Sequence, residues 1–142
     1  VGRYRFLDAV AIADCALEVE GLDLDDLFAT AAEALAEVMV DPATVAATAE
    51  RTVTLTAPSL DLLLYDWLAE LILLKDQEEM IFPRTTVRVT ANAACGLEAT
   101  LVGGTIDRER TVLRADAKAV TFHQFALERR DLGWWARVVI DI

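Results

Sequence analysis

Asp141 and Ile142 end the sequence on a strand pattern, Trp134-Trp135-Ala136-Arg137-Val138-Val139-Ile140-Asp141-Ile142. Terminal residues ordinarily fray into polar ones, yet here the apolar alternation runs to the last position. An aspartate and the α-carboxylate of Ile142 would then sit side by side on an ordered element. Two anions held that close repel unless a cation or a donor compensates them. Joined by a third acid they would form an all-oxygen site, suited to Ca²⁺ or Mg²⁺ rather than zinc. Many acids compete for that third place, and spacing alone selects none. Taken by itself, a solvated terminal aspartate is the plainer account.

Other chemistry has little to work with. His123 is the single histidine, so nucleophilic catalysis of the Ser-His or Cys-His kind would have to use it. A histidine between Phe122 and Phe125 on a strand reads first as structural. If Glu128 faces Trp135 across a hairpin, His123 falls opposite Ile140, beside the Asp141 end, as a candidate to hold a metal-ligating carboxylate in place. Cys15 and Cys95 are single and far apart, match no zinc or redox spacing, and read as buried reduced thiols. Gly103-Gly104 reads as a turn and carries no phosphate-loop signature.

The elements that must position these residues follow from periodicity. Ala117–Leu127 and Trp134–Ile142, with Arg129-Arg130-Asp131-Leu132-Gly133 between them, read as a β-hairpin. Tyr4–Leu7 is a short first strand. Asp8–Ala13 is a small-residue connection. Cys15–Glu20 alternates apolar with polar and places Asp14 at the mouth of a second strand. Asp23 is the natural N-cap of a first helix whose apolar stripe runs Leu24, Leu27, Phe28, Ala31, Leu35, Val38, Met39 until Asp41-Pro42 stops it. Arg51–Ala57 is a clean strand. Ser59 caps a second helix with a wide apolar face, Leu60, Leu63, Leu64, Trp67, Leu68, Leu71 and Ile72, extended round the cylinder by Leu62, Tyr65 and Leu73. So apolar a helix is expected to be the central packing element, with Trp67 in the core. Thr85–Thr90 and Leu97–Val102 read as two further strands. The predicted fold is α+β: a single domain over residues 1–142, with two helices packed on a largely antiparallel β-sheet.

A formal charge of -11 argues against a direct nucleic-acid binder, which needs a basic footprint. No apolar run approaches a membrane span, and Val1–Phe6 reads as strand rather than signal peptide. The expected setting is the cytoplasm, and the expected state a monomer.

Three stretches together carry a family resemblance: Leu63-Leu64-Tyr65-Asp66-Trp67-Leu68-Ala69-Glu70-Leu71, Lys118-Ala119-Val120-Thr121-Phe122-His123, and Arg137-Val138-Val139-Ile140-Asp141-Ile142. They resemble archease, and the likeness extends over essentially the whole chain. It runs from the Asp-Cys-Ala-Leu-Glu-Val-Glu-Gly strand through Leu27-Phe28 and Val38-Met39. The resemblance implies an accessory protein rather than an enzyme. It would stimulate the GTP-dependent RNA ligase that joins tRNA exon halves, promoting guanylylation of the ligase histidine and repeated turnover. It also implies a divalent-metal site built from a first-loop aspartate, the terminal-strand aspartate and the last residue, which here are Asp14, Asp141 and Ile142. One stretch departs from the family pattern. Where the family reads His-Thr-Ala-Asp, this chain reads Ala9-Val10-Ala11-Ile12-Ala13-Asp14, without the His-Thr pair. Two other readings stand beside it: a metal-dependent phosphoester hydrolase using the same acids with His123 as base, and a chaperone-like modulator of RNA-modifying enzymes acting through an apolar surface.

Overall fold

The computed structural model describes residues 2–7 and 14–142; the Asp8–Ala13 connection lies outside the described residues. In chain order the elements are β1 (Arg3–Leu7), β2 (Asp14–Gly21), α1 (Leu24–Met39), a 3-10 turn (Pro42–Thr44), β3 (Ala49–Ala57), α2 (Leu60–Glu78), β4 (Met80–Ala91), β5 (Cys95–Thr105), β6 (Ala119–Arg130) and β7 (Gly133–Asp141).

The α+β class with two helices on antiparallel strands is as expected, but the strands form two sheets rather than one. The first has the order β1-β2-β7-β6 and the second β3-β5-β4. All the pairings are antiparallel. Periodicity shows which faces are apolar; it does not show which strands are neighbours. The β2–β7 pairing, between residues near the two ends of the sequence, has no local signature.

Both helices start where the caps place them. The Asp26 N–H donates to the Asp23 carboxylate at 2.8 Å, and the Leu62 N–H to the Ser59 hydroxyl at 3.3 Å. Helix α2 buries Leu63, Leu64, Trp67, Leu68, Leu71, Ile72 and Leu74, with Trp67 fully enclosed and its indole N–H donating to the Phe28 carbonyl at 3.0 Å. Leu62 and Leu73, which extend the apolar face round the cylinder, are exposed.

The more enclosed helix is α1. Leu27, Phe28, Thr30, Ala31, Ala32, Ala34, Leu35, Ala36, Val38 and Met39 are all buried, because the helix packs against β2 of the first sheet and β4 of the second. Alanines on several sides let strands approach closely from both directions, so α1 takes the central position expected of α2. Small side chains bury little area each and leave a weak hydropathy signal, although the backbone they cover is deeply enclosed.

Gly103 and Gly104 lie inside β5 rather than in a turn. A Cβ at Gly103 would collide with the Ile81 backbone at the point where the β4–β5 register shifts, so glycine there serves close strand approach. The β6–β7 hairpin turns tightly through Asp131-Leu132, and Gly133 takes φ +155°, a conformation L side chains rarely adopt.

Candidate metal centre

In the β2–β7 register Asp14 lies directly opposite Asp141, followed by Cys15 with Ile140, Ala16 with Val139 and Leu17 with Val138. Opposite residues project to the same face, with Cβ atoms roughly 4.5–5.5 Å apart. The Leu17, Val19, Ala136, Val138 and Ile140 side chains belong to the hydrophobic core. Alternation therefore turns Asp14 and Asp141 to the other face of the sheet. Both are half-buried, and the next pair on that face, Ala16 with Val139, is fully buried.

Like charges directly opposite on a sheet are destabilising. Among the described residues no ion pair or side-chain hydrogen bond engages either carboxylate. Nor does a third His, Cys, Asp or Glu join them in a cluster that could hold a metal. Ile142 is half-buried, packs against the core and follows Asp141 directly. On the far side of β7, Ala119 stands opposite Asp141, and the Lys118 N–H donates to the Asp141 carbonyl at 2.7 Å. The strand end is thus pinned from both neighbours. The donor set is two carboxylates without a soft ligand, which fits a hard divalent cation.

Arginines on the same face are too far along to neutralise the pair. Arg137 stands opposite Glu18, and four residues of strand place it roughly 13 Å from Asp141. Its Nε donates to the Gln124 carbonyl at 2.9 Å. Glu18 accepts from Arg5 Nε at 2.9 Å, and this hydrogen bond chiefly holds its carboxyl below the usual range. Arg130 and Arg137 both lie over the Trp135 ring, at 4.2 and 5.5 Å.

His123 does not lie where the hairpin register was expected to put it. Glu128 does face Trp135, but Ile140 pairs with Val120. Between Thr121 and Ala126 strand β6 bulges, with Gln124 at φ +53°, and the regular count from Glu128 back to His123 fails there. His123 is an exposed residue of that bulge. Of the thiols, Cys95 is buried as expected, while Cys15 is only half-buried, with burial raising its pKa.

A cleft of about 580 Å³ lies away from the acidic pair. It lies by the hairpin turn, between Arg3 and Glu20 on one side and Arg130, Asp131 and Trp134 on the other.

The resemblance read from the sequence is matched across the chain. The model of the Archease protein family (MTH1598/TM1083) covers residues 4–142. The chain belongs to the archease family. Archease of Archaeoglobus fulgidus is 36% identical over 142 residues, covering 99% of each chain. Archease of Methanothermobacter thermautotrophicus is 36% identical over 140 residues, covering 98% of each. Among solved structures, the solution structure of Methanobacterium thermoautotrophicum protein 1598 is similar, with a TM-score of 0.80 at 34% identity over 98% of each chain. The crystal structure of a Thermotoga maritima archease, a possible chaperone, shares the fold with a TM-score of 0.63 at 18% identity over 96% of each chain. The archease fold thus accommodates the two-sheet arrangement around α1. No helix among the described residues is long and apolar enough to cross a membrane.

Proposed function

We propose that this archease-family chain is a non-catalytic activator of the GTP-dependent RNA ligase of tRNA splicing and RNA repair, acting through a divalent-metal site at Asp14, Asp141 and Ile142. The observation that supports this reading is the direct pairing of Asp14 with Asp141, uncompensated among the described residues, at the end of the central strand β7. Two opposed carboxylates cost stability unless something cationic uses them, and the sheet fixes them through backbone pairing on both sides of β7.

Within the proposal each residue has a separate task. Asp14 and Asp141 supply carboxylate oxygens from adjacent strands, and Ile142 lends a main-chain oxygen beside them. Ala119 keeps bulk away from Asp141, while the Lys118 N–H holds its carbonyl and so the strand end. A bound Ca²⁺ or Mg²⁺ would present positive charge to the phosphate oxygens of the nucleotide at the ligase. The chain itself would position that charge. It has no basic footprint for RNA, and its acidity suits docking on a basic enzyme rather than on the substrate.

The hydrolase reading loses its base, because His123 sits on the exposed bulge and not opposite Ile140. The test is multiple-turnover RNA joining by the cognate ligase. Wild-type protein is expected to stimulate it, and Asp141→Ala to abolish stimulation while keeping the far-UV dichroism of the wild type. Equal stimulation by Asp141→Ala would refute the assignment of the site.

A further inference from the structure

The bulge in β6 and the outer face of α2 build a second surface that the acidic pair does not account for. Among the described residues, strand β6 is an edge of the first sheet, paired only with β7. Where the ladder breaks between Thr121 and Ala126, Phe122 turns outward and stacks flat on Tyr65 of α2, with ring centroids 4.2 Å apart and planes 5° from parallel. Phe125 meets both rings edge-on, at 6.4 and 6.0 Å. Arg137 fixes the loop by donating to the carbonyl of Gln124, the residue at positive φ. A non-glycine residue in that conformation is strained and persists only where its surroundings hold it.

Tyr65 and Phe125 are half-buried against the core, and Phe122 lies on top of them. Phe122 is 58% exposed, and Leu62 and Leu73 on α2 are 38% and 44% exposed. Leu62, Tyr65, Ala69 and Leu73 follow at spacings of three and four, so they form one stripe along the helix. The exposed acids Asp61 and Asp66 lie one turn from Tyr65 and Leu62 respectively. The one basic residue of α2, Lys75, is occupied by Asp76, Asp116 and the Ala117 carbonyl. On the α2 side the stripe is therefore apolar and aromatic, edged by the negative charges of Asp61 and Asp66.

We infer that this aromatic stripe, centred on Tyr65 and Phe122, is the docking surface for a basic, apolar face of the RNA ligase. The inference rests on the proposed function for the identity of the partner. Charge complementarity favours this occupant. A guanidinium stacks on an aromatic face and pairs with carboxylates, so arginines bearing on Phe122 and Asp66 satisfy both parts of the surface. An enzyme that holds RNA carries such side chains. A second copy of this chain would set acids against acids. The bulge also removes the regular edge ladder that an added strand would need, so the contact is made by side chains.

Binding of the cognate ligase to wild type, Phe122→Ser, Leu73→Gln and the double variant Asp61→Asn/Asp66→Asn, measured by titration calorimetry at two salt concentrations, tests this. Both apolar variants replace exposed residues, and far-UV dichroism checks their fold. The expected result is a Kd raised about tenfold or more by either apolar change, equivalent to about 1.4 kcal/mol. The double variant is expected to bind more weakly and with a flatter salt dependence. Half-maximal stimulation of RNA joining should shift with Kd while its plateau is kept. If wild type stimulates but Phe122→Ser binds as tightly, the docking surface is wrong and the activator reading stands. If Phe122→Ser weakens binding but Asp141→Ala still stimulates, the metal site is wrong and the docking surface stands. Wild type that neither binds nor stimulates overturns both. A wild-type dimer that Phe122→Ser converts to monomer assigns the surface to self-association and overturns the inference.

Discussion

Asp14 and Asp141 each raise the energy of the other in the metal-free protein, and a bound cation would reverse that sign. Asp141→Asn is therefore expected to stabilise the metal-free fold slightly, by about 0.2–1 kcal/mol. Ca²⁺ at a hundred times its Kd should stabilise wild type by about 2.7 kcal/mol and leave Asp141→Asn unchanged. Calorimetric melting in EDTA and in millimolar Ca²⁺ reads both effects; equal gains from calcium in the two proteins would place the ion elsewhere. A second residue-scale effect belongs to Tyr4, whose pKa is pushed up to about 12 by burial first, then by Glu37 and Glu33. The unfolded chain releases this proton near the ordinary tyrosine value of 10.0 while the folded chain keeps it. Between those values the unfolded state binds fewer protons, so stability falls as pH rises. Urea melts between pH 9 and about 12 should show this loss, and Tyr4→Phe should reduce its slope. At this scale the sequence was partly legible. The strand alternation pointed to Asp141, and Asp14 came from family resemblance because many acids could have joined it. The phase of the alternation turns both away from the core, but only the register brings them together.

At the scale of elements, legibility followed from how locally each one is determined. Asp23 and Ser59 mark the helix starts because a cap needs only the next turn. Strand β3 is clean because Val53 and Ala57 point inward while the threonines alternate outward. The β6 bulge could not be read, since it depends on Arg137 of the facing strand and on Tyr65 of α2. One bulge was enough to move His123 from its expected place. The central position of α1 was hidden for a different reason: alanine hardly signals burial, although here it sets how near the sheets approach. Ala31 is fully buried on that helix. Ala31→Leu is expected to destabilise by about 1–3 kcal/mol, because the added volume must push back a packed neighbour. Chemical denaturation measures it, and a neutral result would mean that α1 is less tightly enclosed than its burial indicates.

Taken whole, the molecule brings two distant parts of the sequence together to make its candidate site. Strand β2 comes early, β7 comes last, and their pairing sets Asp14 against Asp141. The intervening chain forms α1, α2 and the second sheet, so the acidic pair exists only once the long-range pairing is complete. Two antiparallel sheets rather than one follow from the same non-local pairings, which hydropathy cannot specify. The charge of -11 gives the molecule a long-range preference for basic partners. Stimulation of the ligase is accordingly expected to weaken as salt rises. Activation of the ligase, as proposed, depends on the carboxylates at the end of β7. That dependence is tested most directly by guanylylation of the cognate ligase in a divalent-metal titration, with wild type, Asp14→Ala and Asp141→Ala. Metal-dependent stimulation by wild type, and none by either variant at any metal concentration, is the expected result. Stimulation of the same size by all three proteins would contradict it.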